Sequence, residues 1–217
     1  MIHHHPGDDF LLRLAAGRMR GGEAVAVAVH LEACMHCRSR LHALQAAGGA
    51  LLAELEPQLL QPDALARTLA RIDAPQPPAR PRVRAQPRIA LPGGRPWPAA
   101  LAGCDFSPWH WMGPGMSFAR VGVPSDPRAS VYLLRIAPGR SLASHSHSGL
   151  ELTQVLCGSF DDGRSVFAAG DFDATDAAVH HQPVVAPGDV CVCLAYVEGR
   201  LAFDGRIAGA IGRWIGM

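Results

Sequence analysis

Apolar residues recur at helical spacing over residues 8–73 of the chain. Side chains three and four positions apart lie on one face of a helix, so this spacing predicts a small helical domain. We expect a first helix capped by Asp8 or Asp9, a third helix over residues 41–55, and a fourth after Pro62-Asp63. The stripes consist of Phe10, Leu11, Leu14, Ala15, Leu41, Leu44, Leu51, Leu52, Leu55, Leu65, Leu69 and Ile72.

The second segment of this half has an ambiguous pattern. Residues 23–29 read Glu-Ala-Val-Ala-Val-Ala-Val, an alternation that is also typical of a strand. The segment is rich in alanine, continues without a break to Cys34, and has helical neighbours. We therefore predict a helix here.

Residues 74–96 carry many prolines and arginines and no periodic apolar pattern. Prolines prevent a continuous helix, so we predict an extended, semi-rigid linker. Its arginines suit contact with an acidic partner, but a solvated spacer is the favoured interpretation. The residues concerned are Pro75, Pro77, Pro78, Pro81, Arg80, Arg82, Arg84 and Arg88.

From residue 97 onward the pattern changes to short apolar runs separated by Gly and Pro turns. Runs at 131–136, 150–156, 184–185 and 190–194 predict strands of a β-sandwich or barrel. The expected fold class is α+β and multidomain: a helical bundle at 1–73, a linker at 74–96 and a β-barrel at 97–217. Separate patterns on either side of a proline-rich spacer predict that each half folds as a unit.

Composition excludes several classes of function. A net charge of +1 over 217 residues gives no basic field for nucleic acid or an anionic membrane. No apolar run is long enough to span a bilayer, and the N-terminus lacks the pattern of a secretory signal. We therefore expect a cytoplasmic protein whose six cysteines are reduced, which favours metal binding or redox chemistry over disulfides.

The spacing His30-x-x-x-Cys34-x-x-Cys37 indicates a metal site. Residues i and i+4 share a helix face, so His30 and Cys34 can approach one ion, and Cys37 can close the site from the helix end or the next turn. Two thiolates and one imidazole suit zinc, which prefers four tetrahedral ligands. The spacing alone leaves the fourth ligand open among five histidines: His3, His4, His5, His36 and His42. A thioredoxin-like redox pair is less favoured, because no βαβ pattern surrounds the cysteines.

A His-x3-Cys-x2-Cys motif inside a short helical domain resembles the zinc-binding anti-sigma family. Members of that family bind extracytoplasmic-function sigma factors, and an upstream histidine completes their zinc site. His5 lies at the matching distance, 25 residues before His30. The resemblance therefore implies a zinc site formed by His5, His30, Cys34 and Cys37.

A second group of potential ligands lies in the strand-rich half. His145 and His147 are two residues apart and face the same side of an extended segment, and Glu151 at the start of the next strand can reach the same centre. This arrangement resembles the cupin pattern, in which a third histidine comes from a later motif. His181 matches by its distance from the preceding Gly-Asp turn, with His180 as the alternative. Such a set can bind zinc or another divalent transition metal.

The two halves together resemble the ChrR-type anti-sigma factors, which combine a zinc anti-sigma domain with a cupin-like domain. The matching strings include residues 147–153 and 191–195. The resemblance implies a non-enzymatic regulator that sequesters an extracytoplasmic-function sigma factor. It also implies release on an oxidative signal, which is singlet oxygen in the best-known members.

A metal-dependent cupin enzyme, of dioxygenase or hydrolase type, is the alternative function. A His3Glu metal site with open positions can support such chemistry, but an enzyme needs neither the zinc-binding helices nor the spacer. Cys191 and Cys193 alternate in a strand and are candidate redox residues, although a buried pair is the favoured interpretation. Cys104 and Cys157 are interpreted as structural or incidental.

Overall fold

The computed structural model of the protein describes residues 1–75 and 91–204, apart from the side chain of Phe203. Most of the predicted linker, including Arg80, Arg82, Arg84 and Arg88, lies outside the described residues. The described part contains a helical half followed by a β-sandwich, which confirms the predicted α+β architecture. The predicted domain boundaries, one between residues 73 and 74 and one between residues 96 and 97, stay a prediction.

The helical half contains the four helices that the sequence predicts. They are α1 (Asp8–Ala15), α2 (Gly21–Ala33), α3 (Met35–Ala53) and α4 (Ala64–Asp73). The expected cap of α1 is wrong, because Gly7 is the N-cap and both Asp8 and Asp9 lie in the first turn. There Asp8 accepts hydrogen bonds from Arg40 of α3, which ties the two helices together.

Helix α2 is the buried centre of this half. It lies between the other helices and the sandwich, so apolar residues are needed on several of its faces. This explains why its sequence alternates like a strand and still folds as a helix. Its buried residues are Gly22, Glu23, Ala26, Val27, Val29, His30 and Leu31. The buried Glu23 accepts hydrogen bonds from Arg13 of α1, so its charge is paired.

Two short 3-10 turns, Pro92–Gly94 and Ala99–Leu101, precede the sandwich. Its strands are β1 (Asp105–Phe106), β2 (His110–Gly113), β3 (Met116–Gly122), β4 (Ser130–Ile136), β5 (His145–His147), β6 (Glu151–Cys157), β7 (Ser159–Asp161), β8 (Val166–Ala168), β9 (Phe172–Thr175), β10 (His180–His181), β11 (Val184–Val185), β12 (Cys191–Val197) and β13 (Leu201–Phe203). The main sheet has the order β1-β3-β4-β12-β6-β9, with β2 paired to β3. Two three-stranded sheets, β10-β5-β13 and β11-β7-β8, complete the sandwich.

The main sheet is apolar on both faces. Along β4, Val131 and Leu133 belong to the cluster shared with the helices, whereas Tyr132 and Leu134 belong to a cluster inside the sandwich. Successive strand residues point to opposite faces, so one strand serves two cores. This explains why β12 is buried along its whole length. The helical half therefore covers a face of the sheet that would otherwise be exposed.

Polar contacts add to this packing. The carboxylate of Glu32 in α2 accepts hydrogen bonds from the backbone N–H groups of Ala99 and Ala100, just before the sandwich. Arg20 and Glu198 form an ion pair of 2.6 Å between the two halves. Among the described residues, no helix is both long enough and apolar enough to cross a membrane.

Gly22 permits the close approach of α2 to the sheet. A Cβ at this position would lie 2.6 Å from the Cβ of Ala129 and 2.9 Å from Cδ2 of Tyr196. We expect Gly22→Ala to lower the free energy of unfolding by about 1–2 kcal/mol, because either the helix or the sheet must shift. Urea denaturation of the full chain measures this change.

Gly48→Ala in α3 is the matched control, since nothing lies within 4 Å of a Cβ there. It should leave stability unchanged or raise it by up to about 1 kcal/mol, because alanine favours a helix. A Gly22→Ala protein as stable as the wild type would contradict this account of the packing.

Candidate metal centres

The first centre lies where the N-terminal segment meets the joint between α2 and α3. His30 is in the last turn of α2, Cys34 is the N-cap of α3, and Cys37 lies in the first turn of α3. His5 comes from the segment before α1, and its Nδ1 is 3.4 Å from the Sγ atoms of both cysteines. The ligand atoms of all four residues lie within 4.8 Å of one another. They form a potential metal site.

The local backbone explains the position of the two thiols. Cys34 leaves the helical conformation, with φ −107° and ψ 105°, so α2 ends and α3 begins at this residue. The backbone N–H of Cys37 donates to Cys34 Sγ over 3.4 Å. The thiols therefore lie at the N-terminal end of α3, where the helix dipole favours thiolates.

The donor set fits a metal ion. His30 Nδ1 lies 3.1 Å from the carbonyl oxygen of Gly170, which can only accept, so this nitrogen carries the proton. His30 Nε2 is buried and has no hydrogen-bond partner among the described residues. Burial lowers the pKa of His30 and raises that of Cys37 to about 12. A neutral imidazole with a free lone pair beside two buried thiols is a donor set that zinc prefers.

The other candidate histidines lie outside this cluster. The backbone N–H groups of His3 and His4 donate to Asp171, and the His4 ring packs on Phe167 at 4.5 Å between centroids. His36 is exposed, with its ring 5.2 Å from that of His5. His42 is exposed on α3. The geometry therefore favours His5 as the fourth ligand.

The second centre lies inside the sandwich, where β5, β6 and β10 converge. Pairing of β10 with β5 places His181 opposite His145, with 3.2 Å between their Nε2 atoms. Oε2 of Glu151 lies 3.0 Å from His147 Nε2 and 3.7 Å from His181 Nε2. His180 instead points outward and pairs with Asp204 at 2.9 Å.

Burial controls the charges at this second centre. It lowers the pKa values of both His145 and His147 to about 4 and, aided by Asp173, raises that of Glu151 to about 8. His145 Nδ1 lies 2.8 Å from the carbonyl oxygen of Ala143, so its proton sits there and the Nε2 lone pair faces inward. The inward-facing lone pairs and the carboxyl group fit a divalent transition metal.

Sequence reasoning missed a group of charged residues behind His181. Asp162 lies 3.5 Å from His181 Nδ1, and Arg164 bridges Asp162 and Asp173 with hydrogen bonds of 2.7 Å. Asp162, Arg164 and Asp173 are close together in sequence but match no motif, and only the contact of Asp162 with His181 shows their relation to this centre. The alternation of β9, which turns Asp173 to the interior, is the one signal that was available.

The sulfur atoms of Cys191 and Cys193 lie 3.6 Å apart and face the same interior as the second centre. Both cysteines are buried, as the sequence interpretation expects. With His145 and Glu151 they line a small cavity of about 30 Å³. A larger pocket of about 740 Å³ at the mouth of the sandwich includes His181 in its lining. Cys104 and Cys157 are buried at other positions.

The fold and the two clusters define a cupin-like protein whose N-terminal helical domain carries a potential metal site. Residues 99–199 match the family described as the ChrR cupin-like domain. The chain is 36% identical to the anti-sigma-E factor ChrR of Cereibacter sphaeroides over 94% of its length and 93% of that protein. It therefore belongs to the ChrR-type family of zinc-binding anti-sigma factors.

A solved structure extends this similarity to three dimensions. The crystal structure of Rhodobacter sphaeroides SigE in complex with the anti-sigma ChrR matches with a TM-score of 0.74. It covers 91% of this chain and 100% of the matched chain, at 34% identity. The match spans both halves, so the arrangement of helices and sandwich is common to the two proteins.

The raised pKa of Glu151 predicts a pH effect on the metal-free protein. Because the folded carboxyl titrates near 8 rather than 4.5, the folded state holds a proton that the unfolded state loses. Relative to Glu151→Gln, the free energy of unfolding of the wild type should fall as the pH rises from 4.5 to 8, by up to about 1.4 kcal/mol per pH unit. Urea titrations at several pH values in chelator measure the difference.

Glu54→Gln, at an exposed position, is the matched control for the loss of a carboxyl group. If the stability difference between the wild type and Glu151→Gln did not change with pH, the Glu151 carboxyl would be ionised in the folded state.

Proposed function

We propose that this chain is a cytoplasmic anti-sigma factor that sequesters an extracytoplasmic-function sigma factor. The observation that carries the proposal is the similarity over nearly the whole chain to the anti-sigma-E factor ChrR. A match to the complex of SigE with ChrR supports the same class of partner. The cupin-enzyme alternative is not favoured, because this full-length relative is an anti-sigma factor.

The exposed helices supply a surface for such a partner. Helix α4 has no buried residue, and the C-terminal half of α3 is exposed among the described residues. An isolated helix of this length is marginal in water, so α4 needs a partner to stabilise it. Its apolar stripe suits a groove on another protein. The exposed residues of this docking surface are Leu51, Leu52, Leu55, Leu65, Leu69 and Ile72, each at least half exposed.

We propose that zinc is the structural element of the helical half and that it is bound by His5, His30, Cys34 and Cys37. A small bundle has a limited core, and a structural zinc site contributes folding free energy. The side chains hold three separate segments together: the N-terminal segment, the end of α2 and the start of α3. We propose that this fixes the helices in the arrangement that binds the sigma factor.

The second centre is proposed as the sensory site. His145, His147, Glu151 and His181 would hold zinc or another divalent transition metal. We propose that an oxidative signal, of the singlet oxygen type, alters this half and ends the inhibition. Cys191 and Cys193 lie beside the ligands, but the hydrogen bond between them and their burial raise the pKa of Cys193, so oxidation or loss of the metal ligands is the favoured change. The helical half would inhibit, and the sandwich half would be required for release.

The docking surface can be tested with Leu65→Ala/Leu69→Ala, which keeps the helix propensity of α4. If the sigma factor covers both exposed leucines, their truncation should raise the dissociation constant by about 100-fold or more, since the burial of each contributes about 1.5–3 kcal/mol. The measurement is biolayer interferometry with an extracytoplasmic-function sigma factor that the wild-type chain retains.

Val166→Ala, at a position 58% exposed on β8, is the matched control and should bind as the wild type does. Equal affinity of the double variant and the wild type would place the contact elsewhere. Failure of the wild-type chain to retain any such sigma factor would contradict the proposed function itself.

A further inference from the structure

The sandwich contacts a ligand residue of the first centre directly. His30 Nδ1 lies 3.1 Å from Oε1 of Gln154 in β6 and 3.1 Å from the carbonyl oxygen of Gly170. Both atoms accept the proton of the same nitrogen, which leaves Nε2 free to face the cysteines. The tautomer and the ring orientation of His30 are therefore set from the other half of the protein.

Gln154 is built into this position. It is only 1% exposed, although a glutamine side chain is costly to bury unless its polar atoms are paired. Its amide nitrogen donates to the carbonyl oxygen of Val155 over 3.1 Å, which turns Oε1 towards His30. Gln154 lies on the face of β6 that is turned to the helices, where Leu152 belongs to the apolar cluster. The polar side chain is explained by the histidine that it faces.

The turn before β9 holds the segment that carries His5. Asp171 accepts from the backbone N–H of His3 at 2.7 Å and of His4 at 3.0 Å, and Phe172 N–H donates to the His4 carbonyl at 3.1 Å. Gly170 has a φ of +98°, and a Cβ there would lie 2.8 Å from Ile2 Cγ1. The same turn thus accepts a hydrogen bond from His30 and holds the N-terminal segment next to His5.

We propose that Gln154 is a positioning residue for the first metal centre, so that the sandwich sets the metal affinity of the helical half. The inference rests on the proposed binding of zinc by His5, His30, Cys34 and Cys37. Acceptors behind a metal-bound histidine fix its orientation and raise its basicity, and their loss typically weakens metal binding by about 10–100-fold. The two halves therefore share one metal site, although their ligand sets are separate.

The test uses the full-length protein and Gln154→Met, which keeps the size of the side chain and removes the acceptor. Cobalt bound by two thiolates gives a charge-transfer absorption that reports on the first centre alone, since the cluster in the sandwich has no cysteine. Zinc displaces the cobalt, and competition with a chelator gives the zinc dissociation constant. We expect Gln154→Met to raise that constant by about 10–100-fold.

Two further variants separate the hydrogen bond from packing. Gln182→Met makes the same chemical change at an exposed position and should match the wild type. Gln154→Glu keeps an acceptor for His30 Nδ1 but loses the amide donor to Val155, so its zinc affinity should lie between those of the wild type and Gln154→Met. Unfolding curves of the metal-free proteins show whether each variant is folded.

The outcomes distinguish the inference from the function on which it rests. If Gln154→Met binds zinc as tightly as the wild type, or if Gln154→Glu is weakened equally, the positioning role is overturned. If the wild type gives no thiolate-to-cobalt absorption, the proposed zinc site itself fails. Stronger weakening in Gln154→Met than in Gln154→Glu supports the inference.

Discussion

The convergence of His5, His30, Cys34 and Cys37 is the interaction on which the rest of the structure depends. Each of its three segments is poorly held by local structure alone: an N-terminal tail, the last turn of α2, and the joint with α3. Four donors within 4.8 Å of one another bring these segments together. We propose that a metal ion joins them, because two neutral imidazoles and two thiols have little attraction of their own.

Strand β6 shows how the sandwich supports both centres. Its side chains alternate between the two faces of the main sheet. Glu151 faces the interior cluster, whereas Leu152 and Gln154 face the helices. The pairing of β6 with β9 then places the turn at Gly170 beside the same helices. One strand pair therefore supports an interior ligand and the surroundings of an exterior one.

The sequence predicts most of this architecture because its signals are local. Helical spacing, Gly and Pro turns and the motif around Cys34 and Cys37 each depend on neighbouring residues. Local patterns also predicted His145 and His147, whose separation of two fixes a common side on a strand. The predicted N-cap of α1 was wrong. Gly7, Asp8 and Asp9 are adjacent residues that can each be an N-cap, and their spacing does not decide between them.

The contacts between the halves were not predictable in this way. Gln154 lies 124 positions from His30, and Asp171 lies 168 from His3, so no periodicity connects them. The local patterns predict two separate units, whereas in the structure one apolar cluster contains residues of both halves. The charged group at Asp162 and Arg164 is local in sequence but matches no motif, and only its contact with His181, 19 positions from Asp162, connects it to the second centre.

X-ray absorption at the zinc edge tests the central claim most directly. The sample is full-length protein loaded with one equivalent of zinc under reducing conditions. The account predicts two sulfur ligands at about 2.3 Å and two nitrogen ligands at about 2.0–2.1 Å. A spectrum with only nitrogen and oxygen ligands would contradict it, because Cys34 and Cys37 would then not bind the zinc.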